Sequence, residues 1–322
     1  KVRLDKKAKP RRVQGGTSDT IDYFLDGQGN VIARERFNNK MNLHRVESKL
    51  SGKWKVIFSE ETDYITKSFN GVTPDKKHLV MLSTDKDTGR WAYYTLSLTD
   101  GKIVGPVFSR KDKDIETVLT DIQRVVHGVR YSGFTPSYEF FDKKLNARMR
   151  GIKKAMPNNA FSIRDYTPEW DQLILYMDGE ASSGDYLMYK AGKLNLLTAE
   201  RPDIPRASVH KVESFEFKAR DGLTIPTLIT VPNGKDLKNL PAIMMPHGGP
   251  ESYDKQTFDY KAQYFASQGY VVIQPQFRGS TGFGAEHLLA GRGEWGRKMQ
   301  DDLTDTINHL AGAGKIDKSQ IC

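Results

Sequence analysis

Pro241-Ala242-Ile243-Met244-Met245-Pro246-His247-Gly248-Gly249-Pro250 is the stretch on which the reading of this chain turns. Residues 242–245 form a short unbroken apolar run, as expected of a strand buried on both faces of a parallel sheet. The glycine-rich turn that leaves it lies at the carboxyl end of that strand, where open α/β sheets build their sites. Downstream, Phe258, Ala262 and Phe265 recur at helical spacing with Gly269 as the stop. Val271-Val272-Ile273 reads as the next strand. Met299, Leu303, Ile307 and Leu310 then mark a helix whose first turns carry Asp301, Asp302 and Asp305, favourable to its dipole. Gly314 ends it, and Gln320-Ile321-Cys322 begins another strand. Upstream, residues 212–217 and 224–231 pair around Asp221-Gly222. Strands alternating with helices predict a doubly wound α/β sheet over residues 209–322.

Two loops in this region carry chemistry. The turn His247-Gly248-Gly249-Pro250 follows the third strand and precedes a helix. Its two glycines let a backbone N–H approach a reacting carbonyl without an intervening side chain. In an α/β-hydrolase this strand-to-helix loop supplies one oxyanion donor, and the residue after the nucleophile supplies the other. The N–H of Gly248 or Gly249 is therefore the candidate oxyanion donor. His247 and Pro250 are read as support for the loop, His247 as an orienting or packed histidine rather than a general base. The second loop, Arg278-Gly279-Ser280-Thr281-Gly282-Phe283-Gly284, has three glycines and a planar cation. Arg278 reads as a buried side chain pinning the loop; holding a substrate carboxylate is its alternative role. No Gly-x-Ser-x-Gly elbow occurs in the 322 residues, so no catalytic nucleophile is assigned within them. No Gly-x-Gly-x-x-Gly loop directly follows a predicted strand, and His247, His287 and His309 lack metal-ligand spacing, so neither cofactor nor metal is expected.

Before residue 209 the pattern changes to short strands with period-2 alternation. Residues 21–25, 31–37, 43–47 and 54–59 read as four successive strands, joined by Asp26-Gly27-Gln28-Gly29, Asn38-Asn39-Lys40 and Ser51-Gly52-Lys53. Four strands in about forty residues is the size of one propeller blade. Thr73-Pro74-Asp75 precedes Leu79-Val80-Met81-Leu82, and Thr167-Pro168-Glu169 precedes Leu173-Ile174-Leu175-Tyr176. The offset is 167 − 73 = 94 residues, two periods of 47, although the intervening copy over residues 120–131 matches poorly. Residues 1–208 are thus read as the C-terminal blades of a β-propeller, with an antiparallel β-sandwich as the other architecture. Leu145, Met149 and Ile152 lie at helical spacing and predict a packing helix inserted over residues 143–156. The hinge Arg201-Pro202-Asp203-Ile204-Pro205-Arg206 separates the two regions.

Composition restricts the partners. The net charge of +9 includes seven basic residues between Lys1 and Arg12, opposed by Asp5 alone. Elsewhere the basic residues are interspersed with acidic ones, which describes a solvated face or tail rather than a nucleic-acid site. No apolar run approaches the roughly 18–20 residues of a membrane span. The first residues are neither an initiator Met nor a signal sequence, so this end assigns no compartment; cytoplasmic and secreted or periplasmic locations both stay open. The single cysteine, Cys322, excludes an intrachain disulfide. Oligomeric state is not encoded legibly.

Residues 246–302 carry a denser signal. His247-Gly248-Gly249-Pro250, Gly269-Tyr270, the 278–284 loop, Trp295-Gly296 and Asp301-Asp302 together resemble the prolyl oligopeptidase family of serine peptidases, in its acylaminoacyl-peptidase-like and dipeptidyl-peptidase-like branch. The resemblance implies a β-propeller covering an α/β-hydrolase domain, short peptides as substrates, and a Ser, Asp, His triad. It also implies a nucleophile shortly after Cys322, with the Asp and His later still, and hence an inactive chain over residues 1–322 alone. An α/β-hydrolase esterase and a non-catalytic propeller binding module are the alternatives.

Overall fold

The computed structural model describes residues 12, 14–156, 159–179 and 182–322; the basic run at the amino end lies outside them except for Arg12. The chain divides into two compact units, Lys1–Ser109 with Val118–His127, and Arg110–Thr117 with Gly128–Cys322. Among the described residues no helix is long and apolar enough to cross a membrane.

The first two-thirds form antiparallel meanders in which each strand pairs with its chain neighbour. Strands β1 (Thr20–Leu25), β2 (Val31–Asn38), β3 (Leu43–Ser48) and β4 (Lys55–Glu61) make one sheet. Strands β5 (Lys67–Val72), β6 (His78–Thr84), β7 (Trp91–Ser97) and β8 (Ile103–Phe108) make a second. Phe24, Val46, Phe69, Leu79 and Leu96 belong to one buried cluster shared by these two sheets. The third sheet has three strands in the order β11-β10-β9, with β9 Ile115–Thr120, β10 Val126–Tyr131 and β11 Ser137–Phe140. Helix α1 (Lys143–Ala155) follows; Asp142 caps it by accepting from the N–H groups of Lys144 and Leu145, and Leu145, Met149 and Ile152 are buried as their spacing requires. Strands β12 (Asn159–Tyr166), β13 (Gln172–Gly179), β14 (Ser182–Lys190) and β15 (Lys193–Ala199) close the series. Successive meanders of this size are consistent with a propeller-like domain.

The turn that opens the second strand of each meander is the repeated unit. Thr73 and Thr167 donate their N–H to the carbonyls of His78 and Gln172, and Asp26 and Asp121 to those of Asn30 and Val125. Three residues into each turn the backbone enters the left-handed region, at Gly29, Lys76, Arg124 and Trp170, with φ of 79°, 56°, 60° and 57°. These positions are spaced by 47, 48 and 46 residues (76 − 29, 124 − 76, 170 − 124). The copy that matched poorly in sequence is therefore present as a turn; Asp replaces Thr as its side-chain acceptor.

The last third is a five-stranded mixed sheet in the order β16-β17-β19-β18-β20. Its strands are β16 (Lys211–Lys218), β17 (Thr224–Val231), β18 (Leu240–Met244), β19 (Val271–Pro275) and β20 (Ile316–Ile321). β16, β17 and β19 pair antiparallel, whereas β19 and β20 flank β18 in parallel. Ile229, Ala242, Val271, Ile273, Leu310 and Ile316 form its core.

Three expectations change. Phe258 precedes helix α2 (Tyr260–Ser267) because Asp259 caps it, accepting from the N–H groups of Lys261 and Ala262 at 2.9 Å; Ala262, Gln263 and Ala266 are the buried face. After the short helix α3 (Ala285–Leu289), helix α4 (Lys298–Gly312) buries Met299, Asp302, Thr306 and Leu310, so Asp302 is a core residue rather than a solvated charge near the dipole. The strand read from Gln320 begins at Ile316, where pairing to Leu240 of β18 starts.

Candidate active site

The loops leaving the carboxyl ends of β18 and β19 lie against each other. His247 stacks on Phe277 with ring centroids 4.7 Å apart. Its Nδ1 lies 2.9 Å from the Gly248 carbonyl and its Nε2 2.8 Å from Ser280 Oγ. A carbonyl only accepts, so Nδ1 carries a proton. Ser280 also has the Phe277 carbonyl within 2.6 Å, so its single proton serves either that carbonyl or His247 Nε2. Asp254 lies within electrostatic reach of this ring, and its N–H donates to Gln276 Oε1 at 2.8 Å. Burial pushes the Asp254 carboxyl up, against the charge of His247, which pulls it down. Among the described residues Asp254 Oδ2 has no hydrogen-bond partner.

The two candidate oxyanion glycines differ. Gly249 has φ of +134°, and a Cβ there would sit 2.8 Å from the Glu251 nitrogen. A Cβ on Gly248 meets nothing within 4 Å, so the loop is tight at one glycine and open at the next. Beside them is a crevice of about 320 Å³ lined by Gly249, Pro250, Gly279, Gly291, Trp295 and Met299 among others. Its floor is a close backbone approach, since a Cβ on Gly291 would lie 2.5 Å from Gly279 Cα.

Arg278 is 4% exposed and reaches carboxylates, not carbonyls. Its Nε and Nη2 donate to Asp302 at 2.9 and 2.7 Å, and Nη1 and Nη2 to Asp221 at 2.8 and 3.0 Å. The Arg278 backbone N–H also donates to Asp302 Oδ2 at 2.9 Å. Hydrogen bonds from the guanidinium hold Asp221 far below the ordinary carboxylate range, and those to Asp302 and Asp221 raise Arg278. His287 braces the same loop: its Nε2 lies 3.0 and 3.1 Å from the carbonyls of Gln276 and Phe277, so this nitrogen donates. Burial lowers the His287 pKa, favouring the neutral ring.

The 278–284 loop is also held by residues far earlier in the chain. Ser132 Oγ donates to the Gly282 carbonyl at 2.8 Å, and Asp114 Oδ2 accepts from the Gly284 N–H at 2.8 Å. Gln256 N–H meets the Phe134 carbonyl at 2.9 Å, and Lys255 pairs with Glu116 at 2.8 Å. The sequence offered no signal for Asp114 and Ser132, which stand 170 and 150 residues from their partners. The arrangement thus brings His247, Gly248, Gly249, Pro250 and Arg278 together at one end of the mixed sheet, and adds Ser280, Asp254, Asp221 and Asp302. Among the described residues no group of three or more His, Cys, Asp or Glu is placed to hold a metal.

A glycine-rich loop at the carboxyl end of a parallel strand, braced by a buried Arg–Asp pair, defines the class as a hydrolase-like α/β domain following antiparallel meanders. The sequence profile of the prolyl oligopeptidase family matches residues 256–322. The chain is 28% identical over 273 residues to dipeptidyl aminopeptidase BIII of Pseudoxanthomonas mexicana, covering 80% of this chain and 39% of that protein. It is 32% identical over 171 residues to dipeptidyl peptidase family member 6 of Caenorhabditis elegans, covering 46% of this chain and 23% of that one. The fold resembles that of a puromycin-hydrolyzing peptidase of Mycobacterium tuberculosis, with TM-score 0.71 at 15% identity over 97% of this chain and 50% of that structure. Over residues 256–322 the chain is thus similar to the prolyl oligopeptidase family, and it spans half or less of the length of these relatives.

Proposed function

We propose that the protein is a serine peptidase acting on short peptides through an acyl-enzyme, with residues 1–208 contributing propeller blades and residues 209–322 the first half of the α/β-hydrolase domain. One observation carries this reading. β18 and β20 are adjacent and parallel, so a nucleophile on the turn after β20 would stand next to the loop after β18 that holds Gly248 and Gly249. In that arrangement the serine attacks the scissile carbonyl and a histidine takes its proton. The Gly248 or Gly249 N–H, together with the N–H following the nucleophile, stabilises the tetrahedral oxyanion; one such donor contributes about 2.7–4 kcal/mol. His247 and Pro250 shape the loop, and Arg278 holds the neighbouring one through Asp221 and Asp302. No cofactor takes part in this scheme.

A serine-directed fluorophosphonate tests it. On the protein extended past Cys322, the label is expected on a serine in the turn after β20, with peptide anilides hydrolysed; residues 1–322 alone take no label and hydrolyse nothing. Labelled protein that turns over esters but not amides would move the reading to an esterase. An extended protein without a reactive serine would leave a binding module.

A further inference from the structure

We infer that the cleft between strand β11 and helix α1 binds the free carboxylate of a short peptide. The identity of the ligand rests on the peptidase reading; the charge it must carry does not. The cleft has a volume of about 500 Å³, and its lining includes Arg110, Lys113, Arg150 and Lys153 together with Met149 and Phe161. Against these four cations the lining contains one acid, Glu139. That acid is engaged by Arg110 Nη2 at 3.0 Å and by the Tyr131 hydroxyl at 2.9 Å.

The cations are therefore incompletely compensated. Among the described residues the side chains of Lys113 and Arg150 make no hydrogen bond or ion pair. Burial lowers the Lys113 pKa; Asp112 opposes this, while Arg110 and Lys153 push the same way as burial. Such a side chain gains most from an anion arriving in the cleft. The fold explains the cavity. The third sheet has three strands where its neighbours have four. At β11, Asn146 of α1 exchanges hydrogen bonds with the Phe140 backbone at 2.9 and 2.7 Å, leaving the start of the strand to border the cleft.

A lining that combines cations with apolar side chains fits a terminal residue, its side chain against Met149 and Phe161 and its α-carboxylate on Lys113 and Arg150. The walls share backbone with the braces of the candidate active site: Lys113 precedes Asp114, which accepts from the Gly284 N–H, and Thr135 follows Phe134, which accepts from Gln256. A carboxylate held here is anchored on the same frame as the loops that flank the reaction.

The test uses the extended protein, the paired variant Lys113→Gln with Arg150→Gln, and Lys111→Gln as a control that loses charge outside the cleft. Calorimetry with N-acetyl-leucine and N-acetyl-leucinamide reads the carboxylate without requiring catalysis. The acid is expected to bind about tenfold more tightly than the amide. That preference should vanish in the paired variant, at unchanged melting temperature, and persist in Lys111→Gln. In turnover, KM for a free tetrapeptide should rise about tenfold in the paired variant, with KM for its C-terminal amide and kcat for both unchanged. Equal binding of acid and amide to the unaltered protein, or a preference that survives in the paired variant, overturns the inference. Acid-selective binding without cleavage of any peptide would support the site and sink the peptidase reading. Cleavage without acid selectivity would do the reverse.

Discussion

The meander sheets and the mixed sheet hold their polar groups in different ways. In the meanders the turn side chains work on their own backbone: Asp26 accepts from the N–H groups of Gln28 and Asn30, Asp121 from those of Gln123 and Val125. Each turn is closed within five residues, and four copies do the same job. Around the mixed sheet the bonds reach far: Arg278 to Asp221 across 57 residues, Ser132 to Gly282 across 150, Asp114 to Gly284 across 170. Each of these has no second copy. Repetition makes a scaffold tolerant because every turn supplies its own partners, whereas a site built from distant segments depends on single side chains.

The largest expected effect tests that dependence directly. Arg278→Met leaves Asp302, fully buried, without its counter-ion. Breaking a buried pair by removing one partner costs about 3–5 kcal/mol, so the urea midpoint should fall steeply. Adding Asp302→Leu should recover most of the loss, because the double change removes the stranded charge as well. A single variant within about 1 kcal/mol of the parent would break the comparison.

A second long-range contact responds to pH. Asp178 in β13 lies near the Phe258 N–H ahead of α2, at 3.4 Å. Burial pushes its carboxyl up to about 6, while that N–H, Arg164 and Arg201 pull it down and Glu200 pushes it further up. Its folded pKa lies above its unfolded value, so the folded state binds more protons between the two. Stability is therefore expected to decline as pH rises from about 4 to about 6, by on the order of 2–3 kcal/mol, and to level off above that. Asp178→Asn should flatten this slope. Denaturation midpoints of both proteins at pH 4, 5, 6 and 7 provide the check, and parallel curves would remove Asp178 as the cause.

The same contrast explains what could be read in advance. The first sheet, α1 and the β16–β17 pair were legible because their signals are local: alternation, helical spacing and Gly-Asp turns act over a few residues. The turn at Asp121 was hard to match because the repeated property is a backbone bend with a side-chain acceptor, which Asp and Thr both satisfy. His247 to Pro250 and Arg278 were picked out as polar and glycine residues at strand ends, but their partners were not. Asp302 read as a helix-end charge, since nothing in its neighbourhood says that a cation 24 residues away enters the core beside it. Asp114 and Ser132 sit in a region that reads as scaffold, and tertiary folding alone brings them to the loop.

The two glycines sharpen the comparison inside the site. Gly249→Ala puts a Cβ into the Glu251 backbone at positive φ and is expected to cost about 1–3 kcal/mol. Gly248→Ala has open space and should stay within about 0.5 kcal/mol of the parent in stability. If Gly248 faces the reacting carbonyl, its methyl should lower kcat in the extended protein while the melting temperature holds. A stability loss as large as that of Gly249→Ala would mean that the loop packs against something at Gly248.

The smallest effect tests the repeat. Thr73 Oγ1 accepts from the His78 N–H at 3.3 Å and Thr167 Oγ1 from the Gln172 N–H at 3.2 Å. Each hydroxyl also donates to a nearby carboxylate, Asp75 in one turn and Asp171 in the other. Because these turns are copies, Thr73→Ala and Thr167→Ala should each cost about 1 kcal/mol and differ by less than about 0.5 kcal/mol. Thr167 precedes the buried Trp170, whose N–H returns to the Thr167 carbonyl at 2.8 Å, as the Lys76 N–H returns to Thr73 at 2.8 Å. A much larger cost at Thr167 would show that Trp170 makes its turn a packing element, so that the repeat is shared in backbone and not in energy.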